Sequence, residues 1–301
     1  TAANSCNGNI SSPDRRFAAL SSSTFGLAPL FTLLLAGGYS PFEALSYRWG
    51  VAALFPGALA VCSGRSFRLG RRELVTVFLL SLFRAATSLS LIIAYQHIAS
   101  GVASTIYFMY PLAVALAMMC FFREKGSAWV FAAIGMSVVG AVLLSLGNVD
   151  FTVENSALGM VSACVSVFSY GGYIVGVRKS RAVEIDSAVL TCYVMGLGAL
   201  YFILGGLLTG GVRIETDGMT WLCILGLALP ATALSNMTLV QAIKRIGPTL
   251  TSIFGALEPL TAVVIGVAVF GEPFTAQGAA GILLIVAAVS VVVLRTGRRS
   301  Q

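Results

Sequence analysis

Charge is what this sequence has least of. Asp, Glu, Lys and Arg together make up 10% of its 301 residues, against roughly a quarter in a soluble domain. With 57% hydrophobic residues and a mean hydropathy of +0.90, that shortage excludes a soluble globular chain and implies an integral membrane protein. Histidine is nearly absent too. One residue, His97, cannot supply an H-E-x-x-H pair, and it lies at a span end, the wrong depth for an intramembrane Ser–His protease. No G-x-x-x-x-G-K-[ST] occurs, so nucleotide hydrolysis has no basis in this chain. The six cysteines are scattered, with no C-x-x-C. Those in apolar runs read as small buried core residues rather than disulfide or metal partners. No metal, no cofactor and no enzymatic activity are expected.

What the chain has is long apolar runs. A hydrocarbon core of about 30 Å takes about 20 helical residues. Ten runs meet that length: Ala18–Gly37, Phe42–Ser63, Leu74–Tyr95, Val102–Phe122 and Ala128–Gly147, then Ala157–Val177, Ala188–Leu208, Thr220–Ile243, Pro248–Phe270 and Ala276–Leu294. The polar start, TAANSCNGNISSPD, has no apolar core of a signal peptide and reads as a tail. The organisation expected is a disordered tail over 1–17, a five-helix repeat over 18–147, an external linker over 148–156, a second five-helix repeat over 157–295 and a tail over 296–301.

The basic residues set the orientation. With the N-terminus in the cytoplasm, the inner side collects Arg15, Arg16, Arg65, Arg68, Arg71, Arg72, Arg123, Lys125, Arg178, Lys179, Arg181, Lys244, Arg245, Arg295, Arg298 and Arg299. The outer side keeps Arg213, while Arg48 and Arg84 lie inside spans. This is the positive-inside pattern, with both termini cytoplasmic in a cell inner membrane. It also accounts for the net charge of +7 without nucleic acid as a partner.

The two halves match. At a constant offset of 148, Gln96–Glu124 aligns with Lys244–Glu272, so that Ser104 meets Ser252, Tyr110-Pro111 meets Glu258-Pro259 and Glu124 meets Glu272. An odd number of spans per half turns the second half over. The fold class expected is therefore all-α integral membrane, with ten transmembrane helices as two inverted-topology five-helix repeats. Inverted repeats are a recurring basis of alternating access around a midplane site; duplication kept for packing alone is the plainer reading.

These features carry a family resemblance. Leu257-Glu258-Pro259 at the centre of an apolar run, the Phe270-Gly271-Glu272 terminator, Arg48 in the second span and the two five-helix halves resemble the EamA-type members of the drug/metabolite transporter superfamily. The resemblance covers roughly residues 17 to 295 and implies the fold and transport. Members export amino acids, metabolites and drugs, so it does not fix the substrate. Aromatic amino-acid exporters of the YddG type are the comparison it suggests. A Trp often present in the first span of the family is missing here.

The residues that could carry transport are few. Glu258 lies about 16 Å into its span at 1.5 Å per residue, near the midplane, where an ionisable group is a functional candidate. Its alternative role is a neutral, buried acid bonded to a carbonyl at a kink. Pro111 and Pro259 break backbone hydrogen bonds and, with Gly101, Gly255, Gly266 and Gly271, are candidate hinges. Tyr107, Tyr110 and Phe254 are candidate cavity aromatics, against core packing. Arg84 is as deep as Glu258; Arg48 is shallower and can snorkel. Ser88 and Asn236, paired by the repeat offset, are neutral hydrogen-bonders. A guanidinium for a carboxylate, an acid or phenol for an amine and rings for a side chain suit a small amphipathic zwitterion. The expected function is export of such metabolites, neutral or aromatic amino acids foremost, by a monomer in a lipid bilayer. A sugar-phosphate or nucleotide-sugar exchanger is the rival within transport, and a channel or scaffold the rival class.

Overall fold

The computed structural model describes residues 12–26, 39–98, 100–124, 127–146, 157–211, 217–270 and 275–298. Among these residues the chain is helical throughout, with no strand. The helices are α1 (Ser12–Phe25), α2 (Pro41–Cys62), α3 (Arg71–His97), α4 (Ser100–Tyr107), α5 (Tyr110–Phe122), α6 (Ala128–Leu146), α7 (Ala157–Lys179), α8 (Ser187–Thr209), α9 (Gly218–Ala228), α10 (Ser235–Ile246), α11 (Pro248–Phe254), α12 (Leu257–Phe270) and α13 (Ala276–Arg298). A π-helical segment, Leu229–Leu234, joins α9 to α10. Seven stretches among the described residues are long and apolar enough to cross a membrane, and two further apolar helices, Ala128–Leu144 and Ala276–Val291, are shorter.

Local chemistry starts several of these helices. Ser40 caps α2 in a reciprocal box: its Oγ accepts from Glu43 N at 3.2 Å, and Ser40 N donates to Glu43 Oε2 at 3.3 Å. Pro41 follows at the first turn, where a missing N–H costs nothing. Asp186 accepts from Ala188 N and Val189 N at the head of α8. Helix α1 begins at Ser12, with Pro13 in its first turn, so helix reaches into the part of the chain expected to be tail.

The two prolines of the repeat place the two breaks. A proline cannot donate to the carbonyl four residues before it. That carbonyl is Tyr107 for Pro111 and Gly255 for Pro259. Helix α4 ends at Tyr107 and α11 at Phe254, and helix resumes after two residues, at Tyr110 and Leu257. The breaks at 108–109 and 255–256 thus fall within one residue of the 148 offset.

Packing is paired in the same sense. Helix α2 lies on α8, α5 on α11 and α6 on α13; α3 packs on α7 as α1 does on α10, and α3 on α8 as α2 does on α9. One end of the bundle is basic. There Arg178 donates to the Lys244 carbonyl and Lys244 to the Ile185 carbonyl, Arg65 pairs with Asp186 at 3.5 Å, and Arg245 lies over Phe17.

The cysteines correct an expectation. Cys223 is buried and Cys192 half-buried, but Cys62, Cys120 and Cys164 are exposed on the bundle surface. In a membrane protein the outer surface is as apolar as the core, so an apolar run does not by itself mean an interior position.

Candidate functional site

The polar residues of the spans converge where the two halves meet. Arg84 on α3 donates through Nε to Asn236 Oδ1 on α10 at 3.0 Å, and through Nη1 to Ser88 Oγ at 3.3 Å. Asn236 is oriented by its own Nδ2, which donates to the Thr232 carbonyl at 2.7 Å. The guanidinium is enclosed by rings as well, 5.5 Å from the Phe25 centroid, 5.7 Å from Trp49 and 5.3 Å from Tyr170, within range for cation–π attraction. Gly198 permits this box, since a Cβ there would sit 2.2 Å from the Trp49 ring.

Arg48 on α2 reaches the π segment that leads into α10. Its Nε donates to Thr232 Oγ1 at 2.6 Å. Thr232 sits in the π segment, and its hydroxyl donates in turn to the Leu227 carbonyl at 2.8 Å, five residues back. Pro230 accounts for the irregular register: it lacks the N–H that an α ladder needs there. Two guanidiniums of the first half therefore hold two side chains of the second, four residues apart on one face.

Glu258, at the start of α12, is half-buried. Arg84 and Arg48 both act on its carboxylate electrostatically. Yet among the described residues the carboxylate makes no ion pair and no hydrogen bond. The two Nη of Arg48 and Nη2 of Arg84 likewise have no hydrogen-bond partner among the described residues. Guanidinium donors of the first half and a carboxyl group of the second thus lie within electrostatic reach without pairing.

Aromatic residues form the wall. Tyr107, Tyr110 and Tyr170 lie 4.7 to 5.6 Å apart by ring centroids. Tyr110 Oη donates to the Ser252 carbonyl at 3.4 Å across the two broken helices. Gly255 makes this approach possible: a Cβ on it would lie 1.5 Å from Tyr110 Oη. Tyr173, one turn beyond Tyr170, is fully buried and its hydroxyl has no partner among the described residues.

The EamA-like transporter family model matches this chain twice, over residues 16–146 and 157–294. The chain belongs to that family. It is similar to an uncharacterized transporter of Archaeoglobus fulgidus, 26% identical over 238 residues, 79% of this chain and 83% of that one. It is similar also to the uncharacterized transporter YojE of Bacillus subtilis, 26% identical over 281 residues and 87% of each chain. A solved crystal structure shares the fold, with a TM-score of 0.81 at 18% identity over 96% of this chain and 99% of that one. This family member is a multi-pass membrane transporter.

Of the residues singled out from the sequence, Arg84, Ser88 and Asn236 are in direct contact, Arg48 joins them through Thr232, and Tyr107, Tyr110 and Glu258 lie beside them. Phe254 does not. It packs with Ala18, Ala115 and Ile134 in a separate apolar cluster. Pro111, Pro259 and Gly255 sit at or beside the helix breaks; Gly101 and Gly266 lie within α4 and α12, and Gly271 is outside the described residues. Trp49, Phe25, Tyr170 and Thr232 were not singled out. For Thr232 the sequence holds a signal: the offset that pairs Ser88 with Asn236 also carries Arg84 onto Thr232.

Proposed function

We propose that this protein is a secondary transporter that exports small amphipathic metabolites, neutral and aromatic amino acids foremost, by alternating access. It works as ten spans in two inverted five-helix repeats, with both termini and the basic end of the bundle at the cytoplasmic face of the inner membrane. The substrate lies at mid-depth between the repeats.

The observation that carries the reading is the unpaired charge. Arg48, Arg84 and Glu258, contributed by both halves, lie within electrostatic reach of one another and form no ion pair among the described residues. Charges held in a membrane interior without mutual pairing suit a polar ligand that pairs with them. The free guanidinium edges take a carboxylate, Glu258 takes an ammonium, and Tyr107, Tyr110 and Tyr170 flank an apolar or aromatic side chain. Because the arginines come from one half and Thr232, Asn236 and Glu258 from the other, a ligand seated there bridges elements that move apart in alternating access.

Equilibrium binding tests this. Purified protein is expected to be stabilised against heat by Trp and Phe, and not by Trp methyl ester or tryptamine, which lack the carboxylate. Stabilisation by a sugar phosphate with none by amino acids overturns the substrate class in favour of the two arginines as an anion site, and leaves the transporter reading in place.

A further inference from the structure

Outside the central site, a groove of about 390 Å³ lies between α5 and α7. Its floor is small and apolar, with Ala113 and Ala117 on α5 and Gly171, Gly172 and Gly176 on α7. Its rim is Phe121 and Phe168, 80% and 71% exposed. At one end stand Lys179 and Ser180, with the Lys179 ammonium 4.9 Å above the Phe122 ring. By the repeat, α5 on α7 corresponds to α1 on α12, where the described contact is close at Gly26: a Cβ there would lie 2.4 Å from Thr261 Cβ.

We propose that this groove is a binding site for one anionic phospholipid of the cytoplasmic leaflet, with an acyl chain along the glycine face of α7 and the phosphate at Lys179. Three features select this occupant. Gly171 and Lys179 are eight residues apart, about 12 Å along a helix, close to half of a hydrocarbon core of about 30 Å; the groove is one leaflet long. Its lining is apolar except at one end. That end is cationic: Arg178 beside it is committed to the Lys244 carbonyl, and Lys179 is the cation that lines the groove, which makes it the headgroup ligand. The placement in the cytoplasmic leaflet rests on the orientation proposed above.

Gly171 and Lys179 are the positions to vary. A Cβ on Gly171 meets only van der Waals contacts, at 3.7 to 3.9 Å, whereas one on Gly176 would press on Leu80 at 2.7 Å. The test is native mass spectrometry of the delipidated full-length protein titrated with phosphatidylglycerol or with phosphatidylcholine of the same acyl chains. Wild type is expected to retain one phosphatidylglycerol about fivefold more tightly than phosphatidylcholine, the worth of one interfacial lysine. Lys179→Gln is expected to bring the two lipids to parity, Gly171→Leu to weaken both, and Arg68→Gln, at an exposed arginine elsewhere, to keep the preference. Parity in wild type, a preference that survives Lys179→Gln, or a dimer that Gly171→Leu dissolves would each overturn the proposal. Flux does not enter this readout, so parity here leaves the carrier standing, and a failed transport assay leaves the lipid site standing.

Discussion

Arg84 Nε donates to Asn236 Oδ1 at 3.0 Å, so a guanidinium of the first half is held by an amide of the second. Asn236 is also the repeat partner of Ser88, which accepts from the same guanidinium. One cation therefore bridges the two repeat-related residues, at the place where a bound substrate would have to be felt by both halves.

Asn236→Ala leaves the Arg84 Nε without its acceptor in a buried setting. It is expected to cost about 1–3 kcal/mol of stability, read as a lowered melting temperature in detergent. Arg84→Lys keeps the charge but cannot span Asn236 and Ser88 together. It is expected to fold and to bind Trp at least about tenfold more weakly, a change of about 1.4 kcal/mol, measured by calorimetry.

Glu258→Gln keeps the shape of the side chain and removes its charge. Because the carboxylate has no hydrogen bond among the described residues to lose, the melting temperature should stay near that of wild type. Counterflow is expected to fall about tenfold or more, about 1.4 kcal/mol in barrier. Unchanged flux would make Glu258 structural.

Gly255→Ala drives a methyl group into Tyr110 Oη, 1.5 Å away. Overpacking of this kind costs about 1–3 kcal/mol. Tyr110→Phe in the same background removes the nearest atom, and the double variant is expected to regain part of the loss, with the Tyr110 Cζ, at 2.8 Å, keeping the recovery incomplete. A thermodynamic cycle on melting data measures the coupling.

Thr232→Val deletes the hydroxyl that accepts from Arg48 and donates to the Leu227 carbonyl. It is expected to weaken ligand binding and to cost about 1–3 kcal/mol, while Thr232→Ser keeps both bonds and stays within about 0.5 kcal/mol of wild type. Equal behaviour of the two variants would sever the link between the π segment and the site.

Much of this architecture was legible in the sequence because its causes are local. Proline dictates where a helix loses a bond, so Pro111 and Pro259 marked the two breaks. Arg84, Glu258 and Asn236 stood out because polar groups are rare in apolar runs. Trp49, Phe25 and Tyr170 did not. An aromatic residue in an apolar run packs equally well against lipid, core or a guanidinium, and only the crossing of α1, α2, α3 and α7 decides which. Phe254 erred the opposite way: helical spacing put it on the face of Glu258, but the break at 255–256 ends α11 before that face continues. The π register at Leu229–Leu234 follows from Pro230 but leaves no mark in the apolar periodicity.

Counterflow in proteoliposomes tests the central claim most directly. Vesicles holding the full-length protein are preloaded with unlabelled Trp or Phe, and entry of the matching tracer is followed with no ion gradient. The account predicts saturable, transiently uphill accumulation that requires the preloaded substrate and falls with Arg84→Lys and Glu258→Gln. Uptake indifferent to preloading, or unchanged in both variants, would contradict a carrier built around these residues.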